Sequence, residues 1–100
     1  MSESLPEAIH PVVIYRTAIC PYCHMAARLL QRKGVPFLEV SLDGDASKRE
    51  ALQERTQWQT VPQIFVHGSF VGGYTDLAAL DRTGELDRRL AAGPSGGGAA

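Results

Sequence analysis

Apolar and polar positions change period along the chain, from strand-like to helix-like and back. Residues 12–15 form a short apolar run of mostly β-branched residues, which predicts a buried strand. Apolar residues then recur at helical spacing over residues 26–30, and Pro21 suits the first turn of that helix because an N–H is not needed there. The pair Lys33-Gly34 is typical of a helix end, so a helix is predicted from Pro21 to this point.

The second half of the chain continues with strands, a helix and a hairpin. Residues 37–42 alternate and predict a second strand. Ser47, followed three residues later by Glu50, predicts a capping box for a second helix that reaches about Thr56. Residues 61–66 predict a third strand, which a tight turn at residues 67–69 joins to a fourth strand at residues 70–71.

A third helix is predicted after the hairpin. Thr75 or Asp76 can cap it, and Gly84 closes it, before a last helical turn that carries Leu86 and Leu90. The element order is therefore β-α-β-α-β-β-α, with the first two strands parallel and the last two antiparallel. This order predicts an α/β fold with a four-stranded mixed sheet flanked by helices on both faces.

Length and charge narrow the class of protein. We expect one domain over residues 1–100, structured over about 12–90, with a flexible lead-in and a flexible Gly-rich tail at 93–100. The 10 basic and 11 acidic residues nearly balance, which predicts no nucleic-acid partner. The chain has neither a long apolar run nor a hydrophobic leader, so we expect a cytoplasmic monomer with no membrane partner.

Cys20 and Cys23 are the candidate chemical groups. In the cytoplasm, two cysteines three positions apart more often serve catalysis or metal binding than a structural disulfide. Cys20 lies where the first strand gives way to the first helix, and the helix dipole there favours a thiolate. Cys23 follows one turn later. We therefore expect Cys20 to attack disulfides and Cys23 to act as the resolving thiol.

Three other interpretations of the cysteine pair are weaker. A zinc site normally needs four ligands, and the chain has no second cysteine pair and no suitably spaced histidine pair. The segment from Cys20 to His24 also matches the c-type haem attachment pattern, but no export signal is present and Met25 adjoins His24 too closely to reach the other haem face. Two incidental buried cysteines would leave Pro21 unexplained.

Three segments together resemble the dithiol glutaredoxins, most closely the small bacterial ones. They are Cys20-Pro21-Tyr22-Cys23, Thr60-Val61-Pro62 and Gly72-Gly73-Tyr74-Thr75-Asp76, and the similarity covers about residues 12–90. The resemblance implies a thioredoxin-like fold and the glutathione-dependent reduction of protein disulfides and protein–glutathione mixed disulfides. It implies no tightly bound cofactor and no metal. Glutathione would be the co-substrate, and glutathione reductase would act only indirectly through glutathione.

The resemblance also implies a binding site. Pro62 would be cis, and the Val61 backbone would face Cys20 and pair with glutathione as with an added strand. The helix N-terminus at Thr75 and Asp76 would hold the γ-glutamyl carboxylate, and the Asp76 side chain would pair with the ammonium group. Gly72 and Gly73 would let the backbone approach closely. The implied glutathione-binding residues are Tyr22, Thr60, Val61, Pro62, Gly73, Tyr74, Thr75 and Asp76.

One position departs from the family pattern. Where the family usually has a lysine, three residues before the nucleophile, this chain has Thr17, and strand alternation directs Arg16 to the other face. Candidates for holding the glycyl carboxylate of glutathione are Arg55, Gln57 and Gln59.

Two other functions stay open at this point. One is an iron–sulfur cluster carrier in which Cys20 and glutathione are ligands across a dimer. The other is a donor reduced by a flavoprotein reductase, against which the segment from Tyr74 to Asp76 argues. No function is assigned to Trp58, and His24 is expected to be a surface or packing residue.

Overall fold

A four-stranded mixed sheet forms the centre of the computed structural model, which describes residues 9–92. The strands are β1 (Val12–Arg16), β2 (Leu38–Ser41), β3 (Gln63–Val66) and β4 (Ser69–Gly72). The helices that follow them are α1 (Pro21–Arg32), α2 (Ala46–Thr56), α3 (Tyr74–Thr83) and α4 (Glu85–Ala92). The predicted Gly-rich tail, and all but the end of the predicted lead-in, lie outside the described residues.

The sheet has the strand order β2-β1-β3-β4. β1 is parallel to β2 and antiparallel to β3, and β3 is antiparallel to β4. The predicted α/β class and mixed sheet are confirmed, and the last element is a helix of 8 residues rather than a single turn. β3 begins two residues later than predicted, because Pro62 has no N–H to contribute to a strand ladder. Among the helices within residues 9–92, none combines the length and apolarity needed to cross a bilayer.

Alternation along β1 directs side chains into two separate cores. Val12 and Ile14 face one side, where the buried side chains of α1, α3 and α4 pack on the sheet. Val13 and Tyr15 face the other side, where Leu52 of α2 covers them. Helices therefore flank both faces of the sheet, as the element order predicted.

A two-residue turn joins β3 to β4. His67 and Gly68 both have positive φ, 47° and 84°, as the tightest hairpin turns require. The His67 ring Nε2 lies 3.2 Å from the Leu90 carbonyl oxygen, which ties α4 to the hairpin. β4 lies at the edge of the sheet and runs in the same direction as β1, so the chain enters α3 at the end of the sheet where β1 also ends.

A lysine links three helices on one side of the sheet. Lys33 Nζ lies 2.7 Å from an Asp81 carboxylate oxygen and 2.9 Å from one of Asp87, so it joins the end of α1 to α3 and α4. These carboxylates raise the pKa of Lys33 above its ordinary value. The bridge helps to hold α1, the helix that begins at the cysteine pair, against the helices that follow the hairpin.

The structure corrects two predicted helix starts. In α2 the cap is Asp45, whose carboxylate accepts a hydrogen bond from the Lys48 N–H at 3.0 Å, so the capping box at Ser47 is wrong. Ser47 lies inside the first turn, after the chain has already become helical. In α3 the cap is Gly73 rather than Thr75 or Asp76, both of which lie in the first turn. The predicted end of α3 at Gly84 is confirmed.

The N-cap of α2 gives a test of this correction. Asp45→Ala should lower the free energy of unfolding by about 1 kcal/mol, because the Lys48 N–H loses its partner. Ser47→Ala should change it by less than about 0.5 kcal/mol, since an exposed helical position away from the cap gains or loses little. Urea unfolding followed by circular dichroism measures both values. A larger loss for Ser47→Ala than for Asp45→Ala would contradict the assignment.

Candidate active site

Cys20 stands between β1 and α1 and caps the helix. Its backbone is extended, with φ −156° and ψ 98°, and Pro21 occupies the first helical position. This conformation turns the sulfur back over the first turn, where Cys20 Sγ accepts a hydrogen bond from the Cys23 N–H at 3.2 Å. Because unpaired N–H groups and the positive end of the helix dipole meet here, the position stabilises negative charge on sulfur.

The two cysteine sulfurs are joined in a disulfide, with Cα atoms 5.2 Å apart. Cys20 keeps 7% of its surface exposed, whereas Cys23 is fully covered at 0%. Cys23 lies in the first turn of α1, among the buried residues of the helix, whereas Cys20 is the N-cap at the start of the helix. A disulfide from another molecule can therefore approach Cys20 more easily than Cys23.

The start of α1 forms the first wall of the site, and the loop that follows α2 forms the second. The Val61–Pro62 peptide bond is cis, as the family resemblance implied, and the Val61 carbonyl oxygen lies 3.8 Å from Cys20 Sγ. Pro62 is buried, and Val61 is partly exposed. The loop thus presents backbone next to the exposed sulfur.

A buried glutamine holds this loop in place. Gln63 is 1% exposed, and its side-chain amide donates to the Trp58 carbonyl at 2.7 Å. The Thr56 hydroxyl lies 2.8 Å from the Gln63 side-chain oxygen, and it also accepts from the Trp58 N–H at 3.2 Å. Sequence analysis missed both residues. A glutamine inside an apolar strand, directly after Pro62, was the only available signal.

The third wall is the start of α3. Asp76 Oδ2 accepts a hydrogen bond from the Gly73 N–H at 3.0 Å, which fixes the carboxylate over the first turn. Gly72 has φ 123°, and a Cβ atom at this position would collide with the Asp76 carboxylate. Only glycine suits Gly72, because both its conformation and the space beside it exclude a side chain. The turn therefore depends on the carboxylate and the glycine together.

These walls enclose a groove of about 240 Å³ beside Cys20. The rings of Tyr22 and Tyr74 stack across it with centroids 6.2 Å apart. The groove brings together all but one of the residues predicted to bind glutathione; the exception is Asp76, which contacts the lining residue Gly73. The lining residues are Tyr22, Trp58, Thr60, Val61, Pro62, Gly73, Tyr74 and Thr75.

Trp58 is a groove residue that sequence analysis did not assign. Its ring packs edge-on against Phe70 of β4 with centroids 5.6 Å apart. The indole N–H is buried and has no hydrogen-bond partner among the described residues. The ring therefore acts through its apolar surface, as part of the groove wall.

The cationic and amide side chains that the sequence suggested for the site lie outside the groove. Arg16 Nη1 contacts the Glu39 carboxylate at 2.8 Å, and Nη2 lies 3.3 Å from the His24 ring, so the guanidinium is held between β2 and α1. The Arg55 guanidinium lies over the Phe65 ring, 5.8 Å from its centroid. Gln57 and Gln59 line a separate polar cavity next to α2. None of these side chains lines the groove beside Cys20.

The fold and the cysteine pair define the class of protein. A thioredoxin-like sheet presents a Cys-x-x-Cys pair at a helix N-terminus, with one sulfur accessible and the other covered. This arrangement is that of a thiol–disulfide oxidoreductase.

Comparison with known proteins gives the family. The Glutaredoxin family model matches residues 12–71. The chain is 52% identical over 82 residues to a glutaredoxin of Pseudomonas aeruginosa, covering 82% of this chain and 98% of that protein. It is 51% identical over 79 residues to glutaredoxin 3 of Escherichia coli, covering 79% and 95%. The chain belongs to the glutaredoxin family.

Solved structures agree with this assignment. A buckwheat glutaredoxin–glutathione complex has a TM-score of 0.81 and 26% sequence identity, covering 85% of this chain and 80% of that one. A glutaredoxin from Brucella melitensis has a TM-score of 0.72 and 42% identity, covering 85% and 92%. The predicted thioredoxin-like fold is therefore confirmed by known structures as well as by the strand order.

The unequal exposure of the two sulfurs predicts unequal labelling. In the reduced protein, limiting iodoacetamide should modify Cys20 about tenfold faster than Cys23, because access and thiolate character both favour Cys20. Peptide mass spectrometry after a time course measures the two rates. Under denaturing conditions the two rates should converge. Equal rates in the folded protein would contradict the distinction between the two sulfurs.

Proposed function

We propose that this protein is a glutathione-dependent oxidoreductase that reduces protein disulfides and protein–glutathione mixed disulfides. The observation that carries the proposal is the groove beside Cys20, which combines a reactive sulfur with exposed backbone and a helix N-terminus. The similar buckwheat glutaredoxin was solved in complex with glutathione. We also propose that the protein is a cytoplasmic monomer with a single domain and no tightly bound cofactor.

The chemistry of the groove suits the glutathione tripeptide. Its cysteinyl part would pair with the Val61 backbone, whose carbonyl oxygen lies 3.8 Å from Cys20 Sγ. Its γ-glutamyl carboxylate would accept hydrogen bonds at the N-terminus of α3, near Thr75. The ammonium group would pair with the Asp76 carboxylate, which the Gly73 N–H already orients. Tyr22 and Tyr74 would flank the sulfur.

The proposed reaction with a mixed disulfide has two exchange steps. The Cys20 thiolate attacks the glutathione sulfur, so a Cys20–glutathione disulfide forms and the protein leaves as its thiolate. A second glutathione thiolate then attacks the glutathione bound to Cys20. Oxidised glutathione forms, and Cys20 returns as a thiolate. The cycle consumes one free glutathione, whose sulfur is oxidised as the target sulfur is reduced, and the glutathione of the mixed disulfide leaves as the other half of oxidised glutathione.

The proposed reaction with a protein disulfide also uses Cys23. Cys20 attacks one sulfur of the target, and the other target sulfur leaves and takes up a proton. Cys23 then loses its proton and attacks Cys20 Sγ, which releases the second target thiolate and closes the Cys20–Cys23 disulfide. Two glutathione molecules restore the dithiol and leave as oxidised glutathione. A Cα separation of 5.2 Å suits this closure.

Substitution of each cysteine tests the proposed roles. The assay follows the mixed disulfide of glutathione and 2-mercaptoethanol, with turnover coupled to glutathione reductase and NADPH. Cys20→Ser should lose activity by at least about 10²-fold, because the nucleophile is gone. Cys23→Ser should keep this activity within about threefold but lose the reduction of a protein disulfide, which needs the resolving thiol. An inactive wild type would contradict glutathione use, and an active Cys20→Ser would contradict the choice of nucleophile.

The proposed ammonium contact predicts a change in the apparent affinity for glutathione. Asp76→Asn can still accept from the Gly73 N–H but removes the charge, so KM for glutathione should rise about tenfold. The kcat should change by less than about twofold, since the contact is made equally before and during the reaction.

Asp81→Asn is the matched control for this prediction. Asp81 lies near the other end of the same helix, where it pairs with Lys33, whereas Asp76 lies in the first turn and contacts the groove residue Gly73. The control should leave KM within about twofold of the wild-type value, because it removes a charge away from the groove. The same coupled assay measures both variants. An unchanged KM in Asp76→Asn would exclude the ammonium contact.

A further inference from the structure

A row of exposed side chains starts at the residue before Cys20. Ile19 is 93% exposed, Tyr22 56% and Met25 43%. These residues are three positions apart, so Tyr22 and Met25 are neighbours on the surface of α1 and Ile19 continues the row just before the helix. We call Ile19, Tyr22 and Met25 the apolar rim. It lies on the accessible side of α1, whereas Cys23, Ala26 and Leu30 face the core.

The fold does not account for the exposure of Ile19. An apolar residue directly before an N-cap usually packs against the fourth helical residue and fixes the entry of the chain. Here the fourth residue is His24, which is exposed and contacts Arg16. At 93% exposure, Ile19 cannot cover it. A single exposed apolar side chain is ordinary, but three of them in a row beside a reactive cysteine form a patch that favours an interaction surface.

The position of the rim identifies what it would contact. Ile19 is bonded to Cys20, and Cys20 itself is only 7% exposed. A polypeptide whose sulfur reaches Cys20 therefore brings the residues beside its own cysteine close to Ile19. A small disulfide can reach the same sulfur without covering the rim. The rim thus adjoins the sulfur that a protein disulfide has to reach.

We propose that the apolar rim docks polypeptide substrates whose reactive cysteine has an apolar side chain next to it. The proposal rests on the part of the proposed function in which Cys20 is the attacking sulfur, and it does not depend on glutathione. It makes Ile19 a specificity-determining residue for protein disulfides. The rate of reduction of small disulfides would not depend on this side chain.

The size of the rim argues against a second copy of the chain as its occupant. The three side chains expose on the order of 400 Å², about half of the roughly 800 Å² per partner that a stable interface buries. A short apolar segment beside a cysteine fits such an area. Contact would then last only as long as the covalent exchange that it assists.

Single-turnover reduction of matched peptide disulfides tests the proposal. Two symmetric peptide disulfides differ only in the residue next to cysteine, leucine in one and serine in the other. The pre-reduced protein transfers two electrons to each and forms the Cys20–Cys23 disulfide, which quenched mass spectrometry measures. Wild type should reduce the leucine peptide about fivefold faster, because a rim contact buries part of an apolar side chain. Ile19→Ser should remove this preference and reduce 2-hydroxyethyl disulfide at the wild-type rate.

Ile9→Ser is the matched control, because Ile9 is also exposed, at 66%, but precedes β1 at the end away from Cys20. It should keep the wild-type preference. Equal rates for the two peptides in wild type, or an equal effect of Ile9→Ser, would overturn the proposal. Sedimentation that shows a dimer dissociated by Ile19→Ser would assign the rim to self-association instead. Failure to reduce even 2-hydroxyethyl disulfide would overturn the role of Cys20 as well, whereas loss of peptide preference alone would overturn only the docking surface.

Discussion

The hydrogen bond from the Cys23 N–H to the Cys20 sulfur is the contact on which the site depends. It requires Cys20 to be the last extended residue before α1, and it requires Cys23 to be in the first turn. Serine, threonine, aspartate and asparagine are the residues that best stabilise this position in a helix. A cysteine there sacrifices some capping stability and gains a sulfur whose negative charge the helix supports. The structure thus favours reactivity over stability at the residue where strand and helix meet.

The opposite wall depends on a polar group inside the sheet. Gln63 is buried in β3, and its amide holds the Trp58 carbonyl on one side and the Thr56 hydroxyl on the other. A buried amide is costly unless its hydrogen bonds are made, so these contacts restrict the loop to one arrangement. The Val61 carbonyl then stays next to Cys20 Sγ. The backbone wall of the groove is therefore supported from the core rather than from the surface.

Local patterns were sufficient to predict the order of the elements. Apolar periodicity, Pro21 at the first helical position and Gly84 after α3 are signals that neighbouring residues determine among themselves. The helix caps were harder, because several residues able to cap lie within two positions of each other. The choice falls on the one whose backbone stays outside the helical region while its side chain reaches the first turn, which was Asp45 for α2.

Long-range contacts left no local signal. Arg16 pairs with Glu39 because β1 and β2 are parallel in a particular register, and Trp58 reaches the groove because Phe70 of the hairpin supports its ring. Both depend on where distant segments meet. The candidates Arg55, Gln57 and Gln59 were chosen for their chemistry, but Arg55 lies in the last turn of α2 over the Phe65 ring, and the two glutamines line a separate cavity.

Two kinds of surface adjoin Cys20, and the geometry of disulfide exchange suggests a different partner for each. The groove offers backbone groups, a helix N-terminus and Asp76, which suit a small charged peptide. The apolar rim, which shares Tyr22 with the groove, offers Ile19 and Met25, which suit apolar contact. In disulfide exchange the attacking, central and leaving sulfurs align, so two partners of one reaction lie on opposite sides of the central sulfur. When Cys20 attacks a glutathione sulfur held in the groove, the glutathione sulfur is the central one, and the departing protein sulfur lies on its far side from Cys20. When Cys20 attacks a protein disulfide directly, the residues beside the attacked cysteine come next to Cys20, so this is the reaction in which a substrate would contact Ile19.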